Sequence, residues 1–210
     1  MKVLMINGSP RGDGSNTLVA LREMERVFEK NGVDCELVTV GDKAIRGCMG
    51  CAACHKTGRC AIDDIVNEVA EKFKECDGMV IGSPVYYAAA NGTLVSFLDR
   101  LFYSSAFDKR FKVGASVAAA RRGGLTSTFD QLNKYFTVSG MPLASGTYWN
   151  GVHGRRVGEA AEDGEGLQNM RALAESMTFL MRSIALGKEK YGEFEAEKKI
   201  YTDFIKRNKA

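Results

Sequence analysis

The sequence predicts an α/β fold, a five-stranded parallel sheet with helices on both faces and right-handed crossovers between strands. Two observations carry that prediction. Short apolar runs alternate five times with segments whose apolar residues recur at helical spacing. The junctions are rich in glycine, 23 residues against only 3 prolines, which marks tight turns and close backbone approaches rather than linkers. A length of 210 residues fits one domain with excursions, because ~150 residues is a usual domain size.

Residues 2–6 form a continuous apolar run closed by Asn7-Gly8, the pattern of a strand covered on both faces. Ala20, Leu21, Met24, Val27 and Phe28 then mark one face of a helix that stops near Asn31-Gly32. A second strand reads from Cys35 to Val40, and a cysteine-rich segment follows. Val66, Val69, Ala70 and Phe73 make the next helical stripe, with Asp63 and Asp64 suited to its N-terminus. The third strand is Gly78–Gly82. Leu94, Phe97, Leu98, Leu101 and Phe102 share a helix face, a fourth strand lies around Val113–Ala120, and Leu125, Phe129, Leu132 and Phe136 repeat at helical spacing. A fifth strand fits Pro142–Trp149. Leu167, Met170, Leu173, Ala174, Met177, Leu180, Met181 and Ile184 complete the pattern with a heptad-like helix. Residues 188–210 read as a terminal helix packing on the body or on a neighbouring subunit.

Hydrophobic residues at 45% and charged residues at 26% lie in the ordinary globular range, which disfavours disordered, fibrous and disulfide-scaffold classes. No apolar run approaches the ~20 residues of a membrane span. The opening Met1–Ile6 reaches Asn7 too soon for a signal peptide, so a cytoplasmic protein with no membrane partner is expected. Net charge is +3, and the one dense basic stretch, Glu195–Lys209, is interspersed with acids; a solvated helix face fits it better than nucleic-acid binding.

In an open parallel sheet, ligands bind beyond the carboxyl ends of the strands, and three loops there are unusual. Gly8-Ser9-Pro10-Arg11-Gly12-Asp13-Gly14-Ser15-Asn16-Thr17 leads straight into a helix and offers amides, hydroxyls and the helix dipole to a phosphate. It matches neither the dinucleotide fingerprint nor the Gly-Lys-Ser/Thr loop of triphosphatases. Ser83-Pro84-Val85-Tyr86-Tyr87-Ala88-Ala89-Ala90-Asn91-Gly92 presents two tyrosines and small residues, a shelf for a planar aromatic ligand. Ala120-Arg121-Arg122-Gly123-Gly124 combines two arginines with two glycines that let backbone approach a ligand.

Gly8-Ser9-Pro10-Arg11 with Ser15-Asn16-Thr17, Gly82-Ser83-Pro84-Val85-Tyr86, Phe97-Leu98-Asp99-Arg100 and Gly123-Gly124 resemble the NADPH-dependent FMN reductases of the flavodoxin-like superfamily. The resemblance runs from Met1 to about Ile184 and departs at Val95-Ser96, near which the family commonly carries a lysine. It implies a doubly wound sheet of order 2-1-3-4-5 and an FMN-binding domain over residues 1–187, with 188–210 as an extension. It also implies that Ser9, Arg11, Ser15, Asn16 and Thr17 hold the FMN phosphate. Pro84, Val85, Tyr86 and Tyr87, with Asn91 and Gly92 closing their loop, would contact the ribityl chain and isoalloxazine, and Arg121, Arg122, Gly123 and Gly124 would border the ring.

Four of the six cysteines, Cys48, Cys51, Cys54 and Cys60, fall within the loop 47–61 with spacing C-x2-C-x2-C-x5-C. Clustered cysteines in a chain without an export signal suggest a metal or redox site before disulfides. Short spacers let four soft sulfur ligands wrap one [4Fe-4S] cluster, and the spacing is similar to that of the iron–sulfur flavoproteins, a branch of the same family. Zinc, with His55 as a substitute ligand, and a metal-free loop at a subunit contact are the alternatives. Cys35 and Cys76 read as buried small hydrophobes.

His153 reads as an exposed loop histidine, the alternative being a proton donor to substrate. No C-x5-R stands at any cysteine, which argues against a phosphotyrosine phosphatase. The resemblance implies hydride transfer from NADH or NADPH to FMN and onward transfer to a small-molecule or protein acceptor. No catalytic side chain is required, since the cofactor carries the hard chemistry. A carrier exchanging electrons with ferredoxin-type partners is the other reading, though such carriers are typically acidic and this chain is not. A homodimer or higher homo-oligomer is expected from the surface that the extension and the cysteine loop add.

Overall fold

The computed structural model describes residues 1–202. Its strands are β1 (Lys2–Asn7), β2 (Asp34–Thr39), β3 (Gly78–Tyr86), β4 (Ala89–Ala90), β5 (Val113–Ala120) and β6 (Gly151–His153). Its α-helices are α1 (Asn16–Lys30), α2 (Cys54–Thr57), α3 (Ile65–Glu75), α4 (Gly92–Ser104), α5 (Leu125–Val138) and α6 (Gly164–Tyr191). The sheet runs β2-β1-β3-β5-β6, all parallel, with the two-residue β4 hairpinned antiparallel onto β3. Without β4 this is the expected 2-1-3-4-5 order.

Alternation along β1 explains why both faces are covered. Val3 and Met5 point into a cluster with Leu21, Met24 and Phe28 of α1 and Met170, Leu173 and Met177 of α6. Leu4 and Ile6 point the other way, toward Val69 and Phe73 of α3, Leu94, Phe97 and Leu98 of α4, and Leu132 and Phe136 of α5. All these side chains are buried, each contributing about 1.5–3 kcal/mol of transfer free energy. The ends of α1 follow the sequence signals: the Ser15 hydroxyl accepts from Leu18 N–H at 3.0 Å, and Asn31 with left-handed Gly32 stops the helix. Asp64 caps α3 by accepting from Val66 N–H.

Three expectations are corrected. The third strand does not end at Gly82 but continues to Tyr86, so Pro84, Val85 and Tyr86 belong to a strand rather than a loop. The fifth strand lies at Gly151–His153, not Pro142–Trp149; only Leu143 bridges to Gly114. The cause is Asn169 on α6, whose Oδ1 accepts from Thr147 N–H at 2.8 Å and Tyr148 N–H at 3.2 Å while its Nδ2 donates to the carbonyls of Tyr148 and Trp149. That side chain takes the backbone bonds β5 would otherwise receive. Finally, α6 runs on through 188–191, but residues 192–202 carry no helix; Phe194 lies on Phe111, ring centroids 5.3 Å apart. The rest of the expected terminal helix, 203–210, lies outside the described residues.

Candidate functional site

At the carboxyl edge of the sheet, the loop after β1 and the start of α1 surround a cavity of 230 Å³. Ser9, Arg11, Ser15, Asn16, Thr17, Pro84, Val85, Tyr86 and Arg121 line it, nine of the sequence-predicted positions drawn from three separate segments of the chain. Gly154 and Arg155, just past β6, join them and were not foreseen; their only signal was their place after a strand that the sequence reading ended too early. Three arginines and no carboxylate stand on its lining among the described residues. Such a lining favours an anion.

Thr17 carries the clearest mark of a missing partner. It is 1% exposed, and its hydroxyl has no hydrogen-bond partner among the described residues. A buried hydroxyl left unpaired costs about 1–3 kcal/mol, so its retention points to a ligand oxygen. The first-turn N–H groups of Asn16 and Thr17 are free of helical partners by position, and the dipole of α1 adds partial positive charge there. Ser9, also buried, is fixed by its own N–H donating to Asn7 Oδ1 at 3.0 Å. Asn16 lines the cavity with its side chain already bonded. Its Nδ2 donates to the Arg156 carbonyl and its Oδ1 accepts from Ala160 N–H, so the side chain pins the loop after β6 instead of facing the cavity centre.

The cradle depends on close backbone approach. A Cβ on Gly41, the residue after Val40, would overlap the Gly8 carbonyl and the Ser9 carbonyl carbon, a requirement the sequence reading missed. Gly124, at φ +90°, would place a Cβ 2.8 Å from Val85 Cγ1 and 2.9 Å from Ala88 Cα. The Arg121–Gly124 loop therefore lies directly against the β3–β4 hairpin, and Ser127 Oγ donates to the Ala88 carbonyl at 2.7 Å. The hairpin turns on Tyr87 and Ala88, both in left-handed backbone at φ 51° and 59°, a type I′ turn made without glycine or asparagine. Tyr87 projects fully into solvent. Asn91 is buried: its side chain caps α4 through Leu94 N–H and its own N–H donates to Ser83 Oγ, with Gly92 exposed as the first residue of the helix.

On the far side of Gly123-Gly124 a larger cavity, 480 Å³, opens between the start of α5 and β6. Arg122, Gly123 and Gly124 border it, as do Tyr148, Trp149 and His153. His153 stands on a strand rather than in a loop, its Nδ1 3.3 Å from Asp163 Oδ2. The Asp163 carboxyl, pushed up by burial but more strongly held down by N–H donation from Gly166 and His153, lies below the usual range.

The four clustered cysteines also meet. Cys48, Cys51, Cys54 and Cys60 line one pocket with Arg100, Tyr103 and Ser104 from the last turns of α4. Burial raises the Cys54 thiol, and the neighbouring Cys51, Cys60 and Cys48 add to that rise. Ser104 Oγ, buried on this pocket, has no partner among the described residues. Among those residues no three ligating side chains converge as one bound ion requires; the thiols ring a pocket instead. His55 lies off the pocket, its ring 5.1 Å from that of Tyr103. Cys76 is buried, its thiol pushed up to about 11 chiefly by burial, whereas Cys35 is only half-buried, burial pushing it up to about 12.

Comparison with known proteins agrees with this geometry. No helix among the described residues is long and apolar enough to cross a membrane. An iron-sulfur flavoprotein of Methanocaldococcus jannaschii is 33% identical over 192 residues, covering 88% of this chain and 99% of that one. The solved structure of RosB with bound 8-demethyl-8-formylriboflavin-5′-phosphate superposes with a TM-score of 0.70 at 17% identity, covering 100% of this chain and 95% of the other. A flavodoxin from the domain Archaea gives 0.58 at 15% identity, covering 87% and 99%. The sequence model of the NADPH-dependent FMN reductases matches residues 1–154, and the chain belongs to that family of FMN-binding flavin oxidoreductases.

Proposed function

We propose that the protein oxidises NADH or NADPH with FMN and passes the electrons to a separate acceptor. The observation that supports this most directly is the 230 Å³ cradle at the sheet edge, lined by three arginines and by Thr17, whose buried hydroxyl is unpaired. FMN, when bound, accepts a hydride at its flavin ring and can release electrons singly. The chain's own part is to hold and orient it. Ser9, Ser15, Thr17 and the amides of the first turn of α1 would take the phosphate, with Arg11, Arg121 and Arg155 adding charge. Pro84, Val85 and Tyr86 would flank the remainder, backed by the Gly124 contact. The 480 Å³ cavity beyond Gly123-Gly124 has the size of a small-molecule site and is the proposed approach for donor or acceptor. Anaerobic mixing of FMN-loaded protein with each nicotinamide should bleach the visible flavin band. Bleaching by neither would refute the donor assignment.

The four-thiol pocket favours a second centre in the same molecule, a [4Fe-4S] cluster held by Cys48, Cys51, Cys54 and Cys60. Its soft, all-sulfur donor set and the unpaired Ser104 hydroxyl fit such a group, and α4 runs from its cap Asn91, just past the β3–β4 hairpin, to this pocket at Arg100. At a rise of ~1.5 Å per residue the two ends lie only about 13 Å apart along the helix. Iron and acid-labile sulfide should accompany anaerobically purified protein and vanish in Cys48→Ala. Zinc without sulfide, or no metal, would refute the cluster.

A further inference from the structure

Among the described residues Arg100 is the largest fully buried side chain, 1% exposed, and neither the flavin cradle nor the thiol ring explains why a permanent cation should be there. Its guanidinium has five N–H groups, and the structure gives each a partner. Nη1 donates to Asp64 Oδ2 at 2.7 Å and to the Arg46 carbonyl at 3.2 Å. Nη2 donates to Asp64 Oδ1 at 2.8 Å and to the Ile62 carbonyl at 3.1 Å. Nε donates to Cys60 Sγ at 3.3 Å.

Two of those partners bracket the cysteine segment: Arg46 precedes Cys48 and Ile62 follows Cys60. A single planar group thus grips both ends of a loop that has no fully buried residue between Gly41 and Val66. Closing such a loop costs chain entropy, and neither disulfide nor strand pairing does it here; the Asn67 amide holds Cys60 and Ile62 but does not reach the Arg46 end. The remaining N–H goes to one thiol only. Burial opposes charge on the Asp64 carboxyl, yet the Arg100 bonds hold it below its ordinary range, so the pair is ionised and the guanidinium is locked in place.

We propose that Arg100 is the positioning residue of the cysteine centre: it closes the loop 46–62 so that the four thiols face one pocket, and its Nε–H donates to the Cys60 sulfur. The inference rests on the cluster reading above. Donation to a ligating sulfur stabilises the reduced, more negative state of such a centre, so loss of the N–H lowers its potential. Lysine cannot replace it, since one ammonium with three donors reproduces neither the bidentate grip on Asp64 nor the fork across two carbonyls.

The test compares wild type with Arg100→Lys, both purified anaerobically with FMN bound. FMN content, iron, acid-labile sulfide, the rate of iron release to a chelator and the midpoint potential by EPR-monitored titration are read on each. The expected result is unchanged FMN, iron release at least tenfold faster, and a lower potential for the cluster that remains. If Arg100→Lys does not fold, Asp64→Asn, which removes the anionic anchor of the guanidinium, is expected to release iron at least tenfold faster, and that rate decides the loop-closing role. Wild-type iron with release rate and potential unmoved by either variant overturns the inference and leaves the cluster standing. Faster release at an unchanged potential overturns the donation to Cys60. Wild type free of iron and sulfide overturns the inference together with the cluster reading, while FMN binding is judged separately.

Discussion

The two centres are held in opposite ways. Residues 8–18 are knitted into the sheet: Gly8 N–H donates to the Gly82 carbonyl, Val40 N–H to the Asn7 carbonyl, and Ser9, Ser15 and Thr17 are buried. Residues 42–64 hold no fully buried side chain and one four-residue helix; the fork of Arg100 ties both ends to the body, and the Asn67 side chain ties the end at Cys60 and Ile62. The cradle proposed for phosphate has to exist before its ligand arrives, because backbone amides are among its donors and cannot be recruited later. A ring of thiols has to open for metal to enter and close around it. The difference therefore assigns rigidity to one site and adjustability to the other, and α4 connects them.

The largest expected effect is in hydrogen exchange. In metal-free protein, amides of residues 42–63 should exchange by local opening at a small free energy, whereas those of β1 and β3 should exchange only near the global unfolding free energy, about 5–15 kcal/mol for a domain. Equal protection in the two regions would abolish the contrast.

Gly41→Val comes next, because Gly41 stands where β2 hands over to the cysteine segment and packs on the backbone of Gly8 and Ser9. Backbone against backbone has no rotamer to relieve it, so a cost of about 3 kcal/mol is expected. At roughly 2–4 °C per kcal/mol this lowers the melting temperature by about 6–12 °C. FMN and iron should be lost together here, as at no other position discussed. Retained FMN in a Gly41→Val protein of normal stability would mean that the cradle tolerates displacement.

Thr17→Val acts on binding rather than folding. Valine keeps the shape and removes a hydroxyl that has no partner in the free protein, so stability should hold or rise slightly. A hydrogen bond to a charged group is worth about 1.5–3 kcal/mol, which predicts roughly ten- to a hundredfold weaker FMN binding. Riboflavin, lacking the phosphate, should bind both forms alike. Calorimetry with the two ligands checks this, and an equal loss for both would place the Thr17 hydroxyl away from the phosphate.

This contrast also decides what was legible in the sequence. That Ser9 to Thr17 would line one cavity was, because these residues are close in sequence and β-then-helix order puts them at the sheet edge. The four cysteines were equally visible as a spacing. Arg100 stood in a noticed motif but its role did not, since its partners lie 36 to 54 positions away and nothing local marks them. The misplaced fifth strand has the same origin: Asn169 reaches back across about twenty residues to take the backbone bonds of 147–149. The extension of β3 escaped notice because Tyr87-Ala88 lacks the Asn-Gly signature of a two-residue hairpin.

The smallest predicted effect tests the comparison from within the backbone. Ala52 in the cysteine segment and Ala88 in the hairpin both adopt left-handed backbone, at φ 55° and 59°, where a Cβ costs about 1–2 kcal/mol. Glycine removes that strain but adds freedom to the unfolded chain, leaving a net gain of about 0.5–1 kcal/mol at each site. The gain should appear in different places. Ala88, though exposed, touches Gly124 and its carbonyl accepts from Ser127, so Ala88→Gly should raise the melting temperature by roughly 1–4 °C. Ala52 is exposed in a segment that opens before the sheet melts, so Ala52→Gly should slow exchange of the loop amides while leaving the melting of the metal-free core nearly unmoved. Equal rises in melting temperature would show that loop and sheet unfold as one unit, and the grip of Arg100 would then be part of the global fold rather than a local clasp.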